Sequence, residues 1–204
     1  MFDRCTGLAL LLLMGPAPLS AQEDARAGPL DLEATQAKAD AAFEAGRYAE
    51  AYEIYLDDLV PTGDKYAQYM VGVMHLHGLG RPRDVPLGAA WIALAAERGD
   101  AKLEAERDAV AAKLGDDERK TRQSMLLELQ ARFGDCALVA QALAESREQV
   151  DASTGSRLAS GVSQPVTVLF DQAEEDGRLS QRDLRKLMRK RERFLRDSCP
   201  PQGA

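Results

Sequence analysis

The chain has 204 residues, 29% of them charged, a formal net charge of -7, and three cysteines. That length suffices for one or two domains with a real core, and the acidic balance leads us to expect no nucleic-acid partner. No G-x-S-x-G elbow, phosphate-binding loop, HExxH or paired-cysteine metal motif occurs. The only histidines, His75 and His77, point to nearly opposite sides of a helix and cannot chelate one metal together. With no nucleophile, base and orienting group to name together, the expectation is a protein that is not an enzyme and uses no cofactor or metal.

Residues 1–21 are expected to be a secretory signal peptide: Arg4 precedes the apolar run Leu8 to Met14, followed by Gly15, two prolines and the small pair Ser20-Ala21. This predicts a periplasmic or secreted protein. No later segment approaches the roughly 20 uninterrupted apolar residues that span a bilayer. Residues 22–31, with Gly28-Pro29, read as a disordered leader.

From residue 32 the pattern turns helical. Ala37, Ala41, Phe43 and Ala45 form a first run stopped by Gly46, and Tyr48, Ala51, Tyr52 and Tyr55 recur at spacings of three and four up to Pro61. After "PTGDK" the spacing predicts a helix over Tyr66 to Leu79, a turn at "GRPRDVP", and a helix over Leu87 to Arg98. Gly99 caps it, Ala101 opens another running to about Leu114, and Asp116 or Asp117 caps a further one closed by Gly134.

The stretch "AQYMVGVMHLHGLGRPRDVPLGAAWIALAAERGDA" resembles a Sel-one-like repeat, a relative of the tetratricopeptide repeats. The resemblance rests on Ala67, Val71, Gly72, Met74, Gly78, Gly80, Asp84, Trp91, Ala95, Ala96 and Gly99, and covers one full unit, with Ala37 to Asp64 similar to a degenerate preceding hairpin. It implies an all-α fold: a short right-handed solenoid of antiparallel helical hairpins over 32–134, with a C-terminal helical extension. Units of this kind bury their faces only against neighbours and need caps, a role expected of the helices from Ala101 to Phe133. His75 stands where the family prefers an aromatic and Gly88 where it prefers alanine. A helix-interior glycine costs about 0.5 to 1 kcal/mol relative to alanine, so Gly72 reads as a point where two helices cross closely. Nothing beyond close packing accounts for Gly88.

The helix from Tyr66 carries two apolar stripes. Ala67, Met70, Val71, Met74 and Gly78 match the family's packing face, while Tyr66, Tyr69, Val73 and Leu76 recur at offsets of three, seven and ten on the opposite side. The second stripe is either covered by the preceding hairpin or the C-terminal segment, or it lines a groove, with His77 beside it, that receives a peptide. Trp91 reads as core.

Removing the signal peptide leaves Cys136 and Cys199 as the only cysteines, and an oxidising compartment predicts that they pair. A short helix is expected over 135–150, a Ser- and Gly-rich linker over 151–164, and a helix-turn-helix segment over 165–204. In its last helix, nine Lys or Arg stand against three acids between Arg178 and Asp197. Leu184, Leu187, Met188 and Leu195 share one face there, expected to dock on the protein's own acidic body, with association to an anionic membrane or polymer as the alternative. "FDQAEEDGRLSQRDL" is similar to an EF-hand at Phe170, Asp171, Asp176, Gly177, Leu179, Ser180, Asp183 and Leu184. One residue too many in the loop, Ala173 among the ligand positions and Asp183 in place of the terminal glutamate argue against tight calcium binding. A helix stop at Gly177 and a capping box of Ser180 with Asp183 explain the same residues. The function these readings favour is protein–protein interaction or scaffolding in the bacterial cell envelope, the partner being another envelope protein or a peptide.

Overall fold

A computed structural model describes residues 31–153 and 181–199. The expected signal peptide, most of the leader and the linker, the first helix of the C-terminal segment and the EF-hand-like loop up to Ser180 lie outside the described residues. Helices α1 (Leu32–Glu44), α2 (Tyr48–Glu53), α3 (Lys65–His77), α4 (Val85–Ala95), α5 (Ala101–Ala111), α6 (Asp116–Phe133), α7 (Asp135–Ser153) and α8 (Gln181–Ser198) follow one another, with no strand among the described residues. The fold is an all-α helical repeat.

Asp31 caps α1 by accepting a hydrogen bond from the Ala34 backbone N–H at 3.0 Å. The helix turns Ala39 and Ala42 into the core, with Phe43 packed beside them, and leaves Ala37 and Ala41 in solvent. The face read from the alanine spacing was therefore rotated: Ala39, Ala42 and Phe43, at offsets of three and four, are the ones that meet α2. Beyond Glu53 the helix widens into a π-helical segment, Ile54–Leu59, and tightens into a 3-10 turn, Val60–Thr62, before Gly63 takes φ 82°. This change of winding keeps Ile54, Tyr55, Leu59 and Val60 all buried.

The centre of the fold is α4. Asp84 caps it from the Leu87 N–H at 3.0 Å and Pro86 stands in its first turn, where a missing N–H costs nothing. Every residue from Gly88 to Ala96 is buried, so the helix is apolar all round, as one surrounded by others must be. It packs on α3, α5 and α6, and Trp91 lies against the Phe133 ring at 5.4 Å. Gly115 caps α6 in place of the expected aspartates, its N–H donating to Glu118 Oε2 at 2.9 Å; Asp116 and Asp117 instead occupy the first turn, where their charge favours the helix dipole. No residue of α5 is buried.

Helix α7 runs three residues past the expected 150 and packs on α6 and α8. Cys136 and Cys199 form a disulfide, with Cα atoms 5.8 Å apart, joining the start of α7 to the end of α8. Between these helices Leu138, Val139 and Ala142 meet Phe194 and Leu195, and Leu184 is buried.

Candidate functional site

Helix α3 is held at both ends. Asp64 accepts from the Ala67 N–H at 2.9 Å, and Gly78, at φ 70°, closes the C-terminus with Leu79 N–H donating to the Met74 carbonyl at 2.9 Å. Between these caps Ala67, Met70, Val71 and Met74 are buried. The side turned away from them is only partly covered. Tyr66 is 41% exposed, His77 is exposed, and Tyr69, Val73 and Leu76 are half-buried.

The five residues of that side do not face one neighbour. Tyr66 donates to Asp40 Oδ1 of α1 at 3.1 Å and stands edge-on to Tyr55, whose hydroxyl donates to the same carboxylate. Burial, then the Asp40 charge, pushes the Tyr66 phenol above its ordinary pKa. Burial and the charge of Glu106 in α5 do the same for Tyr69. Leu76 lies against Gly88 of α4. Val73 sits between these contacts, with His77 one turn beyond it.

The residues that define the repeat are geometric. A Cβ added to Gly72 would lie 2.9 Å from the Gly88 carbonyl oxygen and 2.7 Å from Ile92 Cγ1. One added to Gly88 would lie 2.7 Å from the Gly72 carbonyl oxygen and 2.9 Å from the Leu76 nitrogen. The two glycines thus face each other where α3 and α4 cross, which supplies the reason for Gly88 that its position in the sequence does not. Gly80, at φ 70°, abuts the backbone of Tyr48 and Ala49, locking the turn onto the start of α2. Asp84, Trp91, Ala95 and Ala96 cap and fill α4, and Gly99, at φ 77°, ends its 3-10 extension with open space around it.

Three polar groupings carry no signal in the sequence pattern. At the start of α3, Lys65 Nζ pairs with Glu97 and, at 2.9 Å, with Asp135, which takes a two-pronged pair from Arg98 at 2.7 and 2.9 Å. Arg98 also donates to the Gly63 carbonyl at 2.9 Å, and Gln68 to that of Phe133 at 3.1 Å. Burial works against the Asp135 charge, yet the Arg98 hydrogen bonds and Lys65 hold its carboxyl below the usual range, while burial outweighs Lys65 at Glu97 and raises it. Every member has partners, so the cluster is a clamp joining α3, the end of α4 and α7. In α8, Arg191 is buried on the face that reads as apolar: Nη1 donates to the Ala142 carbonyl at 2.9 Å and to Ser146 Oγ at 2.6 Å, and burial lowers its pKa. His75 is the third. It takes the family's aromatic position, edge-on to Tyr52 at 5.4 Å, and its Nε2 shares a hydrogen bond with the Tyr52 hydroxyl at 3.0 Å.

Residues 65–100 match the Sel1 repeat family. Neither the comparison with curated proteins nor that with solved structures returned a significant match. The chain therefore carries a Sel1 repeat, and Sel1 repeats generally mediate protein–protein interaction. No described helix is long and apolar enough to cross a membrane.

Proposed function

We propose that the chain, with its Sel1 repeat at 65–100, is a periplasmic interaction module of the bacterial envelope that binds a peptide or a segment of another envelope protein along the outer side of α3. The observation that carries this reading is the incomplete cover of that side: Tyr66, Tyr69, Val73 and Leu76 all keep solvent exposure, although Tyr69 also packs against the core. Such a strip gives a partner apolar area, and the two phenol hydroxyls give it hydrogen bonds, the combination enriched at binding hot spots. The disulfide between Cys136 and Cys199 supports an oxidising compartment.

The basic helix fits this reading better than a membrane anchor. The apolar side of α8 is occupied by α7 and tied there by the disulfide, leaving Arg182, Arg185, Arg189, Lys190, Arg193 and Arg196 in solvent. A helix lying in a bilayer surface needs that apolar side free.

Replacing Tyr69 and Val73 with serine tests the groove, since Leu76 also supports the α3–α4 crossing and would confound it. We expect a chain that still folds, with a melting temperature lowered by several degrees through the lost packing of Tyr69, and with loss of partner binding. A large drop in melting temperature with retained binding identifies the strip as core and overturns the reading.

A further inference from the structure

On the far side of α3 from Tyr66 and Val73, a cavity of about 650 Å³ opens between the π-helical segment, α4 and α6. His75 lies nine residues after Tyr66, half a turn round the helix, so this site is separate from the strip described above. The walls are mostly apolar: Leu56, Leu87, Trp91, Met125, Leu129 and Phe133. The volume falls in the range of pockets that enclose small organic molecules, and such pockets carry a few placed polar groups in an apolar lining. A π-helical wall is a further feature that recurs at functional sites.

The polar groups are Tyr52 and His75, each 7% exposed and both lining the cavity. Burial lowers the imidazole pKa, against the pull of Asp84 and with a smaller push from Arg81, which favours the neutral ring, and burial raises that of the phenol. The pair then holds two polar hydrogens, one on the imidazole and one on the hydroxyl, and shares a single hydrogen bond. One hydrogen is always left over. If the imidazole hydrogen sits on Nδ1, it is a buried donor without a partner, which is unfavourable. If it sits on Nε2 and donates to Tyr52, Nδ1 keeps only a lone pair and the Tyr52 O–H is free. In the second arrangement the donor left over is the hydroxyl of Tyr52, a cavity-lining residue, and an acceptor bound in the cavity would satisfy it.

Charge at the lining is close to balanced. Asp57 and Glu128 stand against Arg132, and Arg81 lies 4.5 Å above the Tyr52 ring. Neither an anion nor a cation is favoured there.

We propose that this cavity binds an uncharged apolar molecule bearing a carbonyl oxygen, which accepts the hydrogen bond of the Tyr52 hydroxyl while its apolar body lies against Trp91, Leu129 and Phe133. Tyr52 is the recognition group, and His75 positions it by taking up the hydroxyl oxygen's lone pair.

Two uncharged fluorescent probes test this on the full chain: Nile red, which has a ring carbonyl, and N-phenyl-1-naphthylamine, which has none. Trp91 is the only tryptophan, so quenching of its emission reports probe binding, and the cavity-filling variant Met125→Trp assigns that binding to this cavity. Both probes should bind the wild type saturably, Nile red more tightly. Tyr52→Phe keeps the ring and should weaken Nile red on the order of tenfold, the factor equivalent to about 1.4 kcal/mol, while leaving the naphthylamine unchanged. Met125→Trp, which fills the cavity from α6, should abolish binding of both probes, followed by probe emission, whereas Leu127→Trp, on an exposed position of the same helix, should not. Circular dichroism confirms that each variant is folded. Failure of Nile red to bind, equal binding by Met125→Trp, or an equal effect of Tyr52→Phe on both probes overturns the proposal.

Discussion

Gly88→Ala puts the α3–α4 crossing to the test. The added methyl would stand 2.7 Å from the Gly72 carbonyl oxygen and 2.9 Å from both the nitrogen and Cγ of Leu76. Two of these three atoms are backbone, so the clash cannot be relieved by a rotamer change; the helices must separate or α3 must bend. Overpacking a filled site costs about 1–3 kcal/mol, and rigid backbone places this one at the upper end. Alanine returns up to about 1 kcal/mol of helix propensity, which leaves a net loss of about 2 kcal/mol. At about 2–4 °C per kcal/mol for a chain of this size, the melting temperature falls by about 4–8 °C. Thermal denaturation followed by circular dichroism measures it, with Gly99→Ala alongside as a site strained at φ 77° but with open space, expected to lose about 1–2 kcal/mol. If Gly88→Ala is as stable as wild type or more so, propensity has won, the helices are not in backbone contact, and the account of both glycines is wrong.

Lys65→Met should destabilise by about 3–5 kcal/mol, because Glu97 and Asp135 lose the buried cation between them; urea denaturation reads this, and adding Glu97→Gln should recover part of the loss, whereas strict additivity would deny the clamp. Replacing Cys136 and Cys199 with alanine opens a closure of 63 residues and should cost about 4 kcal/mol on the chain-entropy account; an unchanged urea midpoint would show that the link adds nothing. Burial holds His75 below its ordinary value of 6.5, so between the folded and unfolded values the unfolded chain binds more protons and stability rises with pH. Its contribution is complete above about pH 6.5 and declines as pH falls through that window. His75→Phe should accordingly lose less stability than wild type between pH 7.5 and 5.5, and parallel curves would refute a buried neutral imidazole.

The helices from Tyr48 to Ala96 were legible because caps and glycines mark their ends: Asp64, Gly78, Asp84 and Gly99 each stand where a helix begins or stops. Gly72 was readable as a crossing point, but its counterpart Gly88 was not, since a pair of facing glycines shows only once two helices are docked. The face of α1 was misjudged because alanine at 37, 39, 41 and 42 supports several faces equally, and only contact with α2 selects one. The partly covered strip on α3 was visible as a second apolar period. Its division among Asp40, Glu106 and Gly88 was not, because those partners come from three other helices. Long-range polar groups were the least accessible: Lys65 with Asp135, Tyr52 with His75, and Arg191 with Ser146 lie 70, 23 and 45 positions apart and follow no local rule.

Site-specific photocrosslinking in cells tests the central claim most directly. A photoreactive residue at Val73 or Tyr69, compared with one at exposed Leu127 of α6, should give a discrete adduct with a single protein from the first two positions and none from the third, and the adduct should vanish when Tyr66 and His77 are replaced by aspartate in a chain that still folds. Equal crosslinking from Leu127, or none from Val73 and Tyr69 while the protein is abundant and folded, would contradict an interaction surface on the outer side of α3.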